Sequence, residues 1–230
     1  PTYSIALPNL RFHGYAVDGV PMREDGLDLD AFERLARRTR PAFLYTVPNF
    51  HNPTGVTTSQ EHRERLLAIC ERERVPILED GFEEEMKYFG KAVLPIKSMD
   101  ARQVVIYAGT FSKVLFPGIR IGWITAHEDC VARLTALRRF ADLSPSHVTQ
   151  AILDRFCRDG YYDLHLKRLH RVFRRRMETA LAELDRDMPR GVSWTKPSGG
   201  YTIWIGLPRP VDDDALRAAM REHRVYCSLG

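Results

Sequence analysis

The chain lacks most of the features that mark a specialised class. Its four cysteines, Cys70, Cys130, Cys157 and Cys227, are dispersed, with no Cys-x-x-Cys pair and no neighbouring histidine at metal-ligand spacing. That sets aside a disulfide scaffold and a zinc site, and leaves reduced thiols in a cytoplasmic protein as the expectation. No stretch approaches the roughly 20 apolar residues that span a bilayer, and no charged-then-apolar leader opens the chain, so no membrane partner is expected. Charge of one sign is missing too. With 34 basic and 30 acidic residues, the formal charge of +4 is too balanced to imply nucleic-acid binding. There is no Walker glycine-lysine motif, and the Ser-Asp-Asn and Lys-Thr-Gly pair of serine β-lactamases is absent. His127-Glu128-Asp129-Cys130 is a metal set only on paper, because four adjacent side chains do not converge on one ion; it reads as a helix start, and no metal is expected.

What is present is an ordinary globular chain of 230 residues, 44% hydrophobic and 28% charged, with ample material for a core. Short apolar runs alternate with amphipathic stretches. Strands are expected over Ala42 to Val47, Val75 to Leu78 with an end at Asp80, Val104 to Ala108, and Ile119 to Thr125. Between them, Asp30 with Glu33 and Thr58 with Glu61 have capping-box spacing. The first helix carries Phe32 and Leu35 and stops before Pro41; the second buries Leu66, Leu67 and Cys70. This alternation predicts an open α/β fold with a mainly parallel sheet flanked by helices, whose ligand sites lie beyond the carboxyl ends of strands.

Helices are expected from about 127 to 186. The last, from Tyr161, buries Leu166, Leu169, Phe173, Met177, Leu181 and Leu184, and its other face, from Lys167 to Arg176, reads as solvated. After Pro189-Arg190-Gly191 two strands follow, Val192 to Thr195 and Tyr201 to Ile205, joined by a turn at Gly199-Gly200. A polar helix from Asp212 and a run from Val225 to Ser228 complete the pattern.

The chemistry gathers between Gly109 and Trp123. Lys113 follows two hydroxyl residues, Thr110 and Ser112, and precedes Arg120 by seven positions. An amine forms an imine with an aldehyde, while hydroxyls and a guanidinium suit a phosphate. Together they describe a site for an aldehyde that carries a phosphate, pyridoxal 5'-phosphate. Upstream, Asn52 lies in Phe50-His51-Asn52-Pro53-Thr54-Gly55 and Asp80 in Glu79-Asp80-Gly81-Phe82, each just after an apolar run.

Asn52, Asp80, Lys113 and Arg120, at separations of 28, 33 and 7, resemble the cofactor site of fold type I, class I/II aminotransferases. With Pro1-Thr2-Tyr3, the wording around them is similar to the aminotransferase-type domain of MocR-type regulators in the GntR family, and to aminoadipate and kynurenine aminotransferases. The resemblance implies a pyridoxal-phosphate-dependent transferase fold, with a large cofactor-binding domain over 1–160, a connecting helix over 161–188 and the start of a smaller C-terminal α+β domain over 189–230. It implies that Tyr3 stacks on the pyridine ring, Asn52 bonds the phenolic oxygen, Asp80 pairs with the ring nitrogen, Lys113 carries the cofactor as a Schiff base, and Thr110, Ser112 and Arg120 hold the phosphate.

Lys113 and Asp80 are then the catalytic pair of an amino-acid aminotransferase, a homodimer taking an amino acid and a 2-oxo acid. The alternative is an effector-sensing domain of a regulator, with DNA as partner only if a winged helix-turn-helix lies upstream. One departure stands out: Phe82 and Glu83 occupy positions where relatives commonly have a tyrosine that donates to the phenolic oxygen. By the same resemblance, a further phosphate-binding loop precedes Pro1 and a carboxylate-binding arginine follows Gly230, so the chain covers just over half of such a protein.

Overall fold

The computed structural model describes residues 1–228. In chain order the elements are α1 (Ala6–Phe12), β1 (Met22–Arg23), β2 (Gly26–Leu27), α2 (Leu29–Thr39), β3 (Leu44–Thr46), α3 (Gln60–Glu73), β4 (Ile77–Asp80), β5 (Val105–Thr110) and β6 (Gly122–Thr125). There follow α4 (Glu128–Asp142), α5 (His147–Arg158), α6 (Tyr161–Asp187), β7 (Ser193–Trp194), β8 (Ile205–Gly206) and α7 (Asp213–Glu222). The central sheet has the order β3-β4-β5-β6. Its first three strands are parallel and β6 returns antiparallel. The expected α/β layer with a mainly parallel sheet is present.

One core fills the space between this sheet and helices α2 and α3. Phe32 and Ala36 from α2, Leu66, Leu67, Ile69 and Cys70 from α3, and Ile77 and Val105 from the strands are all buried in it. A second cluster joins Met177 of α6, with Leu166, Leu169, Phe173 and Leu181 against it, to Phe50, Met86, Tyr88 and Val114. The long helix therefore packs its expected apolar stripe onto the loops that follow the strands rather than onto the sheet itself.

Local details differ from the sequence expectations in instructive ways. The first cap is Asp28, whose carboxylate accepts the Ala31 amide at 3.0 Å, while Asp30 lies inside the first turn and pairs with Arg65. Ser59, not Thr58, caps α3. Thr58 is engaged elsewhere, donating to the Pro48 carbonyl and accepting from Arg63. Helix α1 was not anticipated; Pro8 falls in its first turn, where a missing amide hydrogen is harmless. The expected strand over 201–205 pairs only at Ile205 and Gly206, because the Tyr201 amide is drawn to Glu83 instead.

Arg63 is fully buried, at 0% exposure, on a helix face otherwise made of Leu66, Leu67 and Cys70. All of its nitrogens are used. Nε donates to Thr58 Oγ1, Nη1 to the carbonyls of Val93 and Leu94, and Nη2 to the Pro48 carbonyl and to Asn49 Oδ1. Asn49 in turn donates to Glu84 at 2.7 Å. One guanidinium thus ties the loop after β3 to the turn after β4. Replacing it strands several buried acceptors. Arg63→Met is expected to lose more than about 3 kcal/mol in urea unfolding; a loss within about 0.5 kcal/mol, as for an ordinary surface site, would contradict the assignment.

Candidate active site

Three loops leave the same edge of the sheet, at the carboxyl ends of the parallel strands β3, β4 and β5. Asp80 is the last residue of β4. In the parallel register Tyr45 faces Leu78, so Tyr45 and Asp80 share one face of the sheet two residues apart. The Tyr45 hydroxyl donates to Asp80 Oδ2 at 2.7 Å. Burial pushes the Asp80 carboxyl above its ordinary range; the Tyr45 hydroxyl, the Phe82 amide and the charge of Lys113 oppose that and favour the anion. Among the described residues Asp80 forms no ion pair. It is a largely desolvated carboxylate with hydroxyl and amide donors, within electrostatic reach of an amine it does not pair with.

The Asn52 loop follows β3. His51 Nδ1 lies 2.8 Å from Thr54 Oγ1, and burial lowers the imidazole to about 4, so it is neutral at ordinary pH. The Gly55 amide donates to the His51 carbonyl, and the His51 amide to that of Val56, closing the turn. Gly55, at φ 72°, has no room for a side chain: a Cβ would lie 2.6 Å from the Thr202 carbonyl oxygen. Asn52 follows on this turn with its peptide bond to Pro53 cis. Its side chain makes no hydrogen bond among the described residues, which leaves the amide available.

Lys113 sits just beyond β5. Thr110 Oγ1 accepts the Ser112 amide at 3.1 Å and donates to the Ile121 carbonyl at 3.3 Å. Its hydroxyl therefore shapes the lysine turn as well as being a candidate ligand group. Ser112 is half-buried, the Lys113 side chain is exposed, and Val114 behind it is buried. Arg120 adopts a left-handed backbone, φ 51°, at the end of a short 3-10 turn, and donates one bond to the Pro117 carbonyl while its guanidinium stays exposed. Tyr3 precedes α1, within electrostatic reach of Tyr45.

The structure thus brings Asp80, Lys113 and Tyr3 into one neighbourhood, and places Asn52, Thr110, Ser112 and Arg120 on loops of the same sheet edge without direct bonds from these to Asp80 or Lys113. Two participants were not read from the sequence. Tyr45 lies inside an apolar run, and only the strand register shows that it faces Asp80. In the sequence Glu83 marks only a position where relatives commonly carry a tyrosine; in the structure it is a buried acid, 3% exposed.

The family model for aminotransferases of class I and II matches residues 1–230. The 2-aminoadipate transaminase of Thermus thermophilus is 37% identical over 235 residues, covering 100% of this chain and 59% of that protein. An HTH-type transcriptional regulator of Bacillus subtilis, YdfD, is 35% identical over 231 residues, covering 100% of this chain and 48% of its own length. In three dimensions the chain is similar to LysN, an alpha-aminoadipate aminotransferase from Thermus thermophilus solved with N-(5'-phosphopyridoxyl)-L-leucine. The TM-score is 0.92 at 33% identity, with 98% of this chain and 58% of that one covered. The chain spans about half the length of the relatives it matches.

Glu83 gives the site a pH signature. Burial pushes its carboxyl up to about 8, although the Tyr201 amide and the charge of Lys113 pull the other way. Raised in the folded state, the group supports stability fully below its unfolded range near 4.5 and withdraws that support as pH rises toward 8. Glu83→Gln keeps an acceptor for the Tyr201 amide and cannot ionise. Its melting temperature is expected to match the parent near pH 4.5 and to exceed it at pH 8 by about 2–4 °C or more; a difference that does not grow with pH would refute the assignment.

Proposed function

Because this chain belongs to the class I and II aminotransferase family, we propose that it carries the cofactor-bearing part of a pyridoxal 5'-phosphate-dependent amino-acid aminotransferase. The reaction is amino-group transfer between an amino acid and a 2-oxo acid. The observation that carries this reading is Asp80, a desolvated carboxylate that has two neutral donors, no ion-pair partner among the described residues, and an exposed amine, Lys113, in the same neighbourhood.

The donor set fits the cofactor. A carboxylate in such a place is stabilised by an incoming cation, and the cofactor's protonated ring nitrogen is one. The exposed Lys113 amine matches its aldehyde, the open Asn52 amide its phenolic oxygen, and the Ser112 and Thr110 hydroxyls with the Arg120 guanidinium its phosphate. Tyr3 is assigned to the ring face. When bound, the cofactor supplies an aldehyde for the amino group and an electron-withdrawing ring.

The remaining work falls to the protein. The Asp80 carboxylate would hold a proton on the ring nitrogen, and the Tyr45 hydroxyl, which donates to Oδ2, orients that carboxylate and favours its anion. With the cofactor bound, Lys113 Nζ would be the base that takes the α-proton of the substrate and returns it. Phe82 has no hydroxyl to offer, so the phenolic oxygen would be held by one donor fewer than a tyrosine there would give.

The exposed apolar side chains of α4 and α5, Leu137 at 65%, Phe140 at 91%, Val148 at 72% and Ile152 at 65%, support a homodimer in which they are covered. The four cysteines are free, and among the described residues no helix is long and apolar enough to cross a membrane; both agree with work in the cytoplasm.

A second reading rests on the similarity to YdfD over the whole chain: the same site serves as the effector domain of a MocR/GntR-type transcription regulator, which binds DNA through a separate domain. The two readings differ in turnover. In the full-length protein supplied with pyridoxal 5'-phosphate, an amino acid and a 2-oxo acid, catalytic conversion is expected. Lys113→Ala should lower it by about 10²- to 10⁴-fold, the usual weight of a positioned acid-base group. Asp80→Ala is expected to retain cofactor while losing turnover; undiminished turnover in either variant would refute the assignment. Amino-acid binding without turnover in the unmodified protein would favour the regulator.

A further inference from the structure

The Lys113 turn is shaped on one side by Thr110, and beyond it lie two consecutive main-chain carbonyls, those of Lys113 and Val114. Each meets a side-chain donor from elsewhere in the chain. The Tyr201 hydroxyl donates to the Lys113 carbonyl at 3.0 Å. Nε2 of His165, on α6, lies 2.8 Å from the Val114 carbonyl and donates to it.

Both donors are themselves fixed. The Tyr201 ring stands edge-on to Phe173 of α6, with centroids 4.7 Å apart and planes at 77°, and its amide donates to Glu83 Oε2 at 3.2 Å. Gly200 makes this approach possible: at φ 72°, a Cβ there would lie 2.6 Å from Glu83 Oε2 and 2.5 Å from Phe50 Cβ. His165 is held by the helix, whose neighbouring side chains grip the turn after β4. Tyr162 donates to Glu85 Oε1 at 2.9 Å, and His170 Nε2 lies 2.5 Å from the Glu85 carbonyl oxygen. The ring of Tyr201 packs whether or not its hydroxyl bonds, so the hydroxyl has a role separable from packing.

We infer that Tyr201 and His165 are positioning residues for Lys113, a two-point clamp on consecutive carbonyls that fixes the main chain from which the amine reaches its target. The inference rests on the proposed function. It links the segment between β7 and β8, together with α6, to the reactive lysine, so a shift of either would be transmitted to the amine through one peptide unit.

The test uses the full-length protein and three variants. Tyr201→Phe removes one hydroxyl, His165→Leu removes the second donor, and His165→Gln keeps an N–H near the same reach. Equilibrium dialysis gives the affinity for pyridoxal 5'-phosphate, a pH titration of the bound cofactor's visible absorption gives its midpoint, and thermal unfolding confirms folding. Tyr201→Phe and His165→Leu are each expected to weaken cofactor retention about three- to ten-fold, the scale of one hydrogen bond. Each should also move the absorption midpoint by about half a pH unit or more. The double variant should lose less than the product of the two, since both act on one turn, and His165→Gln should stay within about two-fold of the parent.

Parent-like affinity and midpoint in both donor-removing variants overturn the clamp, and so does a change confined to melting temperature. An effect in only one of them overturns its two-point form, and a loss in His165→Gln equal to that in His165→Leu overturns the hydrogen-bond basis. If the unmodified protein shows no saturable cofactor binding, the proposed function falls, and this inference with it.

Discussion

The Asp80 carboxylate is the constraint to which the neighbouring structure is fitted. It ends a strand, is largely shielded from water, and has hydroxyl and amide donors but no cation in contact among the described residues. Removing a carboxylate from water without pairing it is unfavourable, and proteins tolerate it where function supplies the partner. Tyr45 offsets part of the penalty from the neighbouring strand, which the parallel register makes possible. The rest is left to whatever cation the site receives.

Around that carboxylate the chain is tied by polar bonds that run between layers. Arg63, buried among leucines on α3, joins the loop that carries Asn52 to the turn that follows Asp80. On the opposite side α6 and the segment before β8 hold that same turn and the lysine turn through Tyr162, His165, His170 and Tyr201. The loops at the sheet edge therefore do not rest on their own turn chemistry alone. Each is fixed by groups more than ten residues away in sequence, which gives a site built on loops the definition of one built on rigid elements.

The legible parts of the fold were those whose signal is local. Apolar runs of strand length before Asn52, Asp80 and Thr110 showed three strands, and the alternation with helices gave a parallel layer with its site at the carboxyl edge. Lys113, with its hydroxyls and Arg120, stands out in the sequence only in combination with Asn52 and Asp80 upstream. What escaped is set by pairing. Tyr45 and Asp80 meet only because Leu44 aligns with Ile77; nothing around Tyr45 announces it. Glu83 sits in a run of three acids, and a buried acid looks like a solvated one until a hairpin over a hundred residues later covers it. The same holds for Asp28 against Asp30, where both acids have cap chemistry and backbone dihedrals decide which one caps. Arg63 stands at the three-to-four spacing of Leu66 and Cys70, but only the fold brings five acceptors around it.

The central claim is that Lys113, among the six lysines of the chain, is the residue that bonds the cofactor. Borohydride reduction of the full-length protein after incubation with pyridoxal 5'-phosphate, followed by peptide mass mapping, tests it directly. A pyridoxyl adduct at Lys113, in preference to Lys87, Lys91, Lys97, Lys167 and Lys196, is the expected result. A folded protein with no adduct at Lys113, or with label spread evenly over the exposed lysines, would contradict it.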